Sequence, residues 1–91
     1  MVVIIYVIIV YDVGVKRVNK VKMFLRQYLT WVQNSVFEGE LTDSEIRLVE
    51  NSMKELIEKS SDHVVVYILK DRKYICRDEF GTPKLDVTNV L

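Results

Sequence analysis

Val2-Val3-Ile4-Ile5-Tyr6-Val7-Ile8-Ile9-Val10 opens the chain as nine consecutive apolar residues and runs into Tyr11-Asp12. Val, Ile and Tyr favour the pleated surface of a sheet, so this run predicts a strand. A membrane span needs about 18 apolar residues. A secretion signal needs a basic n-region and a small-residue cleavage site, and the run has neither. A strand apolar at every position has no side suited to water. Something has to cover both of its faces, and that requirement decides the fold.

Gly14 ends the strand pattern. From Val15 to Leu29, apolar residues recur at Val18, Val21, Leu25, Tyr28 and Leu29, the stripe of an amphipathic helix. Val32 to Leu41 reads as extended, with Gly39 expected to divide it into two short strands. Thr42 with Glu45 three residues later is a capping box that opens a second helix, and its stripe is Ile46, Val49, Met53, Leu56 and Ile57. Ser60-Ser61 ends that helix, and His63 to Leu69 is a second unbroken apolar strand. A short strand over Tyr74–Arg77, a turn at Gly81-Thr82-Pro83 and a weak edge strand over Leu85–Leu91 complete the expectation.

The order β-α-β-β-α-β plus a C-terminal strand predicts an α/β (α+β) ferredoxin-like sandwich, with both helices on one face of an antiparallel sheet. Such a sheet should alternate apolar and polar residues, and the strands at 2–10 and 64–69 do not. A second copy stacked sheet to sheet is the simplest cover for the bare face, so a face-to-face homodimer is expected. Tyr6, Tyr67 and Phe37 are expected in the core.

Ninety-one residues, 49% of them apolar, make one domain spanning 1–91, and three Gly and one Pro exclude disordered and collagen-like classes. A single cysteine, Cys76, excludes a disulfide framework and a Cys-rich zinc site. It is expected as a buried, inert thiol in a cytoplasmic protein. Thirteen basic and thirteen acidic residues cancel, but unevenly. Residues 13–37 hold five basic residues (Lys16, Arg17, Lys20, Lys22, Arg26) and no acidic one, whereas residues 38–62 hold eight acidic against three basic. Cations in the first turn of a helix oppose its dipole by a few tenths of a kcal/mol each. Contact with nucleic-acid phosphate would justify them there, and so would an ordinary solvated face. Asp12, at the end of a buried strand beside a Gly turn, suits either a turn-former or a ligand for hard Mg²⁺. His63, the sole histidine, is a weak candidate base. Tyr11 either faces a site or caps the strand, and Trp31 is placed to plug the end of the first helix.

The apolar strand ending in Tyr11-Asp12, the basic helix with Lys16-Arg17 and Lys20, and Val32-Gln33-Asn34-Ser35-Val36-Phe37-Glu38-Gly39 together resemble the CRISPR-associated Cas-two family over nearly the whole chain. The resemblance implies a ferredoxin-like homodimer and metal-dependent endonuclease activity on RNA or double-stranded DNA. It also implies a place beside the Cas-one integrase in spacer acquisition. It makes Asp12 the catalytic ligand for Mg²⁺ or Mn²⁺, and Ser35 and Phe37 supporting residues with Tyr11. Lys16, Arg17, Lys20 and Arg26 become contacts to duplex DNA or single-stranded RNA. Trp31 stands where some members carry a basic residue, so one contact would be lost. The segment 79–91 is expected to pack on the partner subunit. The alternative is a non-catalytic DNA-binding adaptor in the integration complex, favoured by the lack of a second firm catalytic residue beside Asp12.

Overall fold

The computed structural model describes residues 2–70, Lys73 and residues 75–83. Strand β1 (Ile4–Asp12) leads to helix α1 (Val15–Leu25), the hairpin β2 (Thr30–Gln33) and β3 (Val36–Thr42), helix α2 (Asp43–Leu56) and β4 (His63–Leu69). The sheet order is β2-β3-β1-β4, antiparallel throughout. The fold is ferredoxin-like, with both helices contributing to a single core.

β1 lies inside the sheet, paired with β3 on one side and β4 on the other, and it alternates in burial although not in hydropathy. Ile5, Val7, Ile9 and Tyr11 are buried, whereas Tyr6, Ile8 and Val10 are half-exposed. The buried set packs with Val21, Leu25, Leu29, Phe37, Leu41, Ile46, Val49 and Met53. Helix α2 begins as expected: Thr42 Oγ1 accepts from the Glu45 N–H at 3.2 Å, and Glu45 Oε1 accepts from the Thr42 N–H at 2.9 Å. Such a reciprocal cap satisfies two helix-end donors.

The register places Val36, Val10 and Val65 in one row, Glu38, Ile8 and Tyr67 in the next, and Glu40, Tyr6 and Leu69 in a third. Directly paired residues share a face, so these rows form the side away from the helices. It is an apolar band over β1 and β4, bordered by two glutamates on β3. Tyr6 is therefore half-exposed and Tyr67 is 54% exposed, which corrects their expected place in the core. Phe37 alone of the three is fully buried.

The chain reverses at Asn34-Ser35, with Asn34 at φ 43°, rather than at Gly39. Asn tolerates the left-handed region, so it serves the turn. Gly39 sits in mid-strand for space: a Cβ there would lie 2.9 Å from Leu29 Cδ2. Helix α1 stops at Leu25, four residues before the end of the apolar stripe. Leu29 is still buried, but from the turn that follows. Of the expected strand at 74–77, residues 75–77 are in no regular element and Tyr74 lies outside the described residues. Cys76 is exposed, not buried, because no element among the described residues covers it. Arg77 Nε lies 3.5 Å from Glu38 Oε2, which brings this segment to the bare face of β3. The edge strand expected over 85–91 lies outside the described residues. No described helix is long and apolar enough to cross a membrane.

Candidate functional site

Asp12 ends β1 and is exposed, and it follows Ile8 and Val10 on the face away from the helices. Its direct partner across the sheet is His63, the first residue of β4. The backbone beside it is fixed on the other side too, where the Tyr11 N–H donates to the Ser35 carbonyl at 3.1 Å. Ser35 thus ties the β2–β3 turn to the end of β1.

Tyr11 and Phe37 do not reach this surface. Both point into the core, with ring centroids 6.2 Å apart and planes inclined by 28°. Phe37 has no exposed surface, so it supports the end of β1 from beneath. Phe37→Ala should cost about 3–5 kcal/mol, the usual range for truncating a buried Phe. Urea denaturation would measure the loss.

The basic residues of this segment fall into four settings. Lys16 and Lys20 are exposed, one turn apart. Arg26 stands about 9 Å beyond Lys20 along the helix, half-buried at the C-cap, where a cation suits the dipole. Lys22 Nζ lies 4.8 Å from the ring centroid of Trp31, whose Nε1–H donates to the Asn34 carbonyl at 3.0 Å. Trp31 therefore lies in β2 beneath a cation and does not plug the helix end. Positive charge persists where the resemblance would place a basic residue.

Arg17 differs from the lysines, since its guanidinium is taken up by Asp62. Arg17 Nε donates to Oδ2 at 2.6 Å and Nη2 to Oδ1 at 3.0 Å. The same carboxylate accepts the Gly14 N–H at 2.9 Å and the Glu58 N–H at 2.8 Å. The Asp62 side chain is only 1% exposed. An anion at the start of α1 favours the helix dipole, so Asp62 offsets the cost of Arg17 in that first turn. Gly14 completes the fit: a Cβ there would lie 2.6 Å from Arg17 Nη2.

Hydrogen bonds from Arg17, then from the Glu58 and Gly14 backbone, hold the Asp62 carboxyl well below the usual carboxylate range, against the opposing effect of burial. The same contact raises the Arg17 guanidinium. A depressed carboxyl contributes stability that is complete above its unfolded value of about 4 and is lost as pH falls toward the folded value. Wild type should therefore lose stability more steeply below about pH 4 than Asp62→Asn, whose baseline is already lower. Denaturation midpoints across an acid series would show the difference.

Asp62 is the residue that sequence reasoning missed. The available signal was three cations and no acid around the first turn of a helix, which calls for an anion from elsewhere.

The fold agrees with the comparisons. The profile of the family described as CRISPR associated protein Cas2 matches residues 5–75. The chain belongs to the Cas2 family. The CRISPR-associated endoribonuclease Cas2 of Methanosarcina acetivorans is 58% identical over 94% of this chain and 99% of its own. The protein of the same name from Pyrococcus furiosus is 46% identical, again over 94% of this chain and 99% of its own. A Cas2 crystal structure superposes with a TM-score of 0.80 at 42% identity, covering 92% of this chain and 94% of that one. A Cas2 structure from Streptococcus pyogenes gives 0.70 at 27% identity, covering 82% of this chain and 99% of that one.

Proposed function

We propose that the protein is a metal-dependent endoribonuclease that works as a homodimer, with Asp12 as the carboxylate that holds the ion. The observation that carries this reading is the place of Asp12, exposed at the end of β1 on the same face as the apolar band. The relatives named endoribonucleases favour RNA over double-stranded DNA as the substrate.

Among the described residues, no group of three or more His, Cys, Asp or Glu could hold a metal. One carboxylate nevertheless fits Mg²⁺, which keeps several waters and binds through one or two carboxylates plus substrate phosphate. Mn²⁺ accepts the same oxygen donors. When bound, the ion supplies an activated water and stabilises charge on the scissile phosphate. Asp12 fixes its position, and a two-fold partner stacked on the apolar band would bring a second Asp12 to the same surface. Lys16 and Lys20, exposed one turn apart on α1, supply the positive charge that attracts the phosphate backbone.

The test is cleavage of single-stranded RNA and of duplex DNA with Mg²⁺, with Mn²⁺ and with a chelator. RNA cleavage that disappears on chelation supports the reading, and metal-independent cleavage contradicts it. Binding should also be independent of sequence, because no groove-reading element is present among the described residues. Each phosphate contact to a single strand adds about 0.7 to the slope of log K against log salt. Replacing Lys16 and Lys20 together with Ala should therefore reduce that slope by about 1.4, measured by RNA titration at several salt concentrations.

A second reading draws on the lone carboxylate: a non-catalytic adaptor, docked on the Cas-one integrase and gripping duplex DNA through the same lysines. Duplex binding without any cleavage would favour it.

A further inference from the structure

Asp62 lies 48 residues from Gly14 in sequence, yet it accepts the Gly14 N–H, and Gly14 is two residues beyond Asp12. Through Arg17 it also grips the first turn of α1. On its other side Asp62 is bonded directly to His63, the cross-strand partner of Asp12. The carboxylate also closes the turn after α2 by accepting the Glu58 N–H, while the Asp62 N–H donates to the Glu58 carbonyl at 2.8 Å. One nearly buried side chain thus ties together both strand ends that carry Asp12 and His63.

We infer that Asp62 is a positioning residue for the Asp12 site, acting through the Gly14 amide and the Arg17 guanidinium. The inference rests on the reading of Asp12 as the metal-holding carboxylate. Every named contact to the Asp62 carboxylate is a donor, so its two oxygens are needed as acceptors. Asparagine would turn an NH₂ group toward N–H donors and leave one of them without an acceptor. Lysine in place of Arg17 keeps the charge but loses the fork that grips both oxygens. With the clamp loosened, the loop after β1 no longer holds Asp12 in one place. Groups that orient a metal ligand typically change affinity or activity 10–100-fold when replaced.

A pair of this kind could equally serve the fold alone, so the test uses readouts that stability does not move. Wild type, Asp62→Asn, Arg17→Lys and Asp12→Asn are compared as full-length protein at a temperature where circular dichroism shows each folded. Mn²⁺ affinity is read from the electron paramagnetic resonance of the free ion, and kcat and KM from RNA cleavage. Asp62→Asn should weaken Mn²⁺ binding and lower kcat by 10–100-fold with KM little changed, and Arg17→Lys should do so to a lesser degree. Wild-type affinity and kcat in folded Asp62→Asn would overturn the inference and leave Asp62 a purely structural residue. Should Asp62→Asn not fold, Arg17→Lys decides by the same criteria. If wild type shows no Asp12-dependent cleavage, the endonuclease reading fails by itself and Mn²⁺ affinity decides. A loss in both Asp62→Asn and Asp12→Asn supports positioning, and affinity equal to wild type in either overturns it.

Discussion

Ile8→Lys should leave the protein folded but monomeric, whereas Val7→Lys, one residue earlier, should prevent folding. The two side chains leave β1 on opposite faces. Val7 is 1% exposed among Leu25, Phe37 and Val49 in the core, and an ammonium there has no partner and no water. Ile8 is half-exposed in the row between Glu38 and Tyr67. A lysine there can reach water or Glu38 in a single chain. In a sheet-to-sheet dimer it would be buried at the centre of an apolar contact. Sedimentation should then show about twice 10.7 kDa for wild type and 10.7 kDa for Ile8→Lys, with the same circular dichroism. Ile5→Lys should behave like Val7→Lys, since Ile5 is 5% exposed on the core side.

Asp12→Asn should reduce RNA cleavage to the level of a mock preparation while fold and dimer persist. Asp12 is exposed at a strand end, and its replacement leaves no cavity and no orphaned core group. The expected loss follows from the chemistry available. Phe37 and Tyr11 are buried, Arg17 is held by Asp62, and Cys76 lies in an exposed segment outside the sheet. Asparagine keeps the shape of aspartate but loses the charge that holds a hard cation. Mn²⁺ binding should fall together with cleavage. If the site is shared across the two-fold axis, mixed dimers of wild type and Asp12→Asn should lose most of their activity rather than half.

How far the sequence reaches depends on how local the cause is. The capping box of Thr42 and Glu45 and the stripe Ile46-Val49-Met53 are readable because partners lie within two turns of each other. The strand over Ile4–Asp12 is readable from β-branched residues alone, and its double-sided hydropathy points to the uncovered face. Which face each residue takes is set by pairing with distant strands, so Tyr67 reads as core until its alignment with Ile8 is known. Gly39 looks like a bend because glycine usually marks one. Its actual role, making room for Leu29, belongs to tertiary packing. Asp12 was legible as a strand-end carboxylate. The pairing of His63 with Asp12 and the grip of Asp62 on Gly14 and Arg17 were not, because these residues arrive from some fifty residues away by sheet register and by an ion pair.

The most direct measurement is cleavage of single-stranded RNA by wild type and Asp12→Asn, purified side by side and assayed with and without Mg²⁺. Cleavage is expected in one of the four reactions, wild type with Mg²⁺, and mock-level signal in the other three. Equal cleavage by the two proteins would contradict the assignment of Asp12 and point to another site or to a contaminating nuclease.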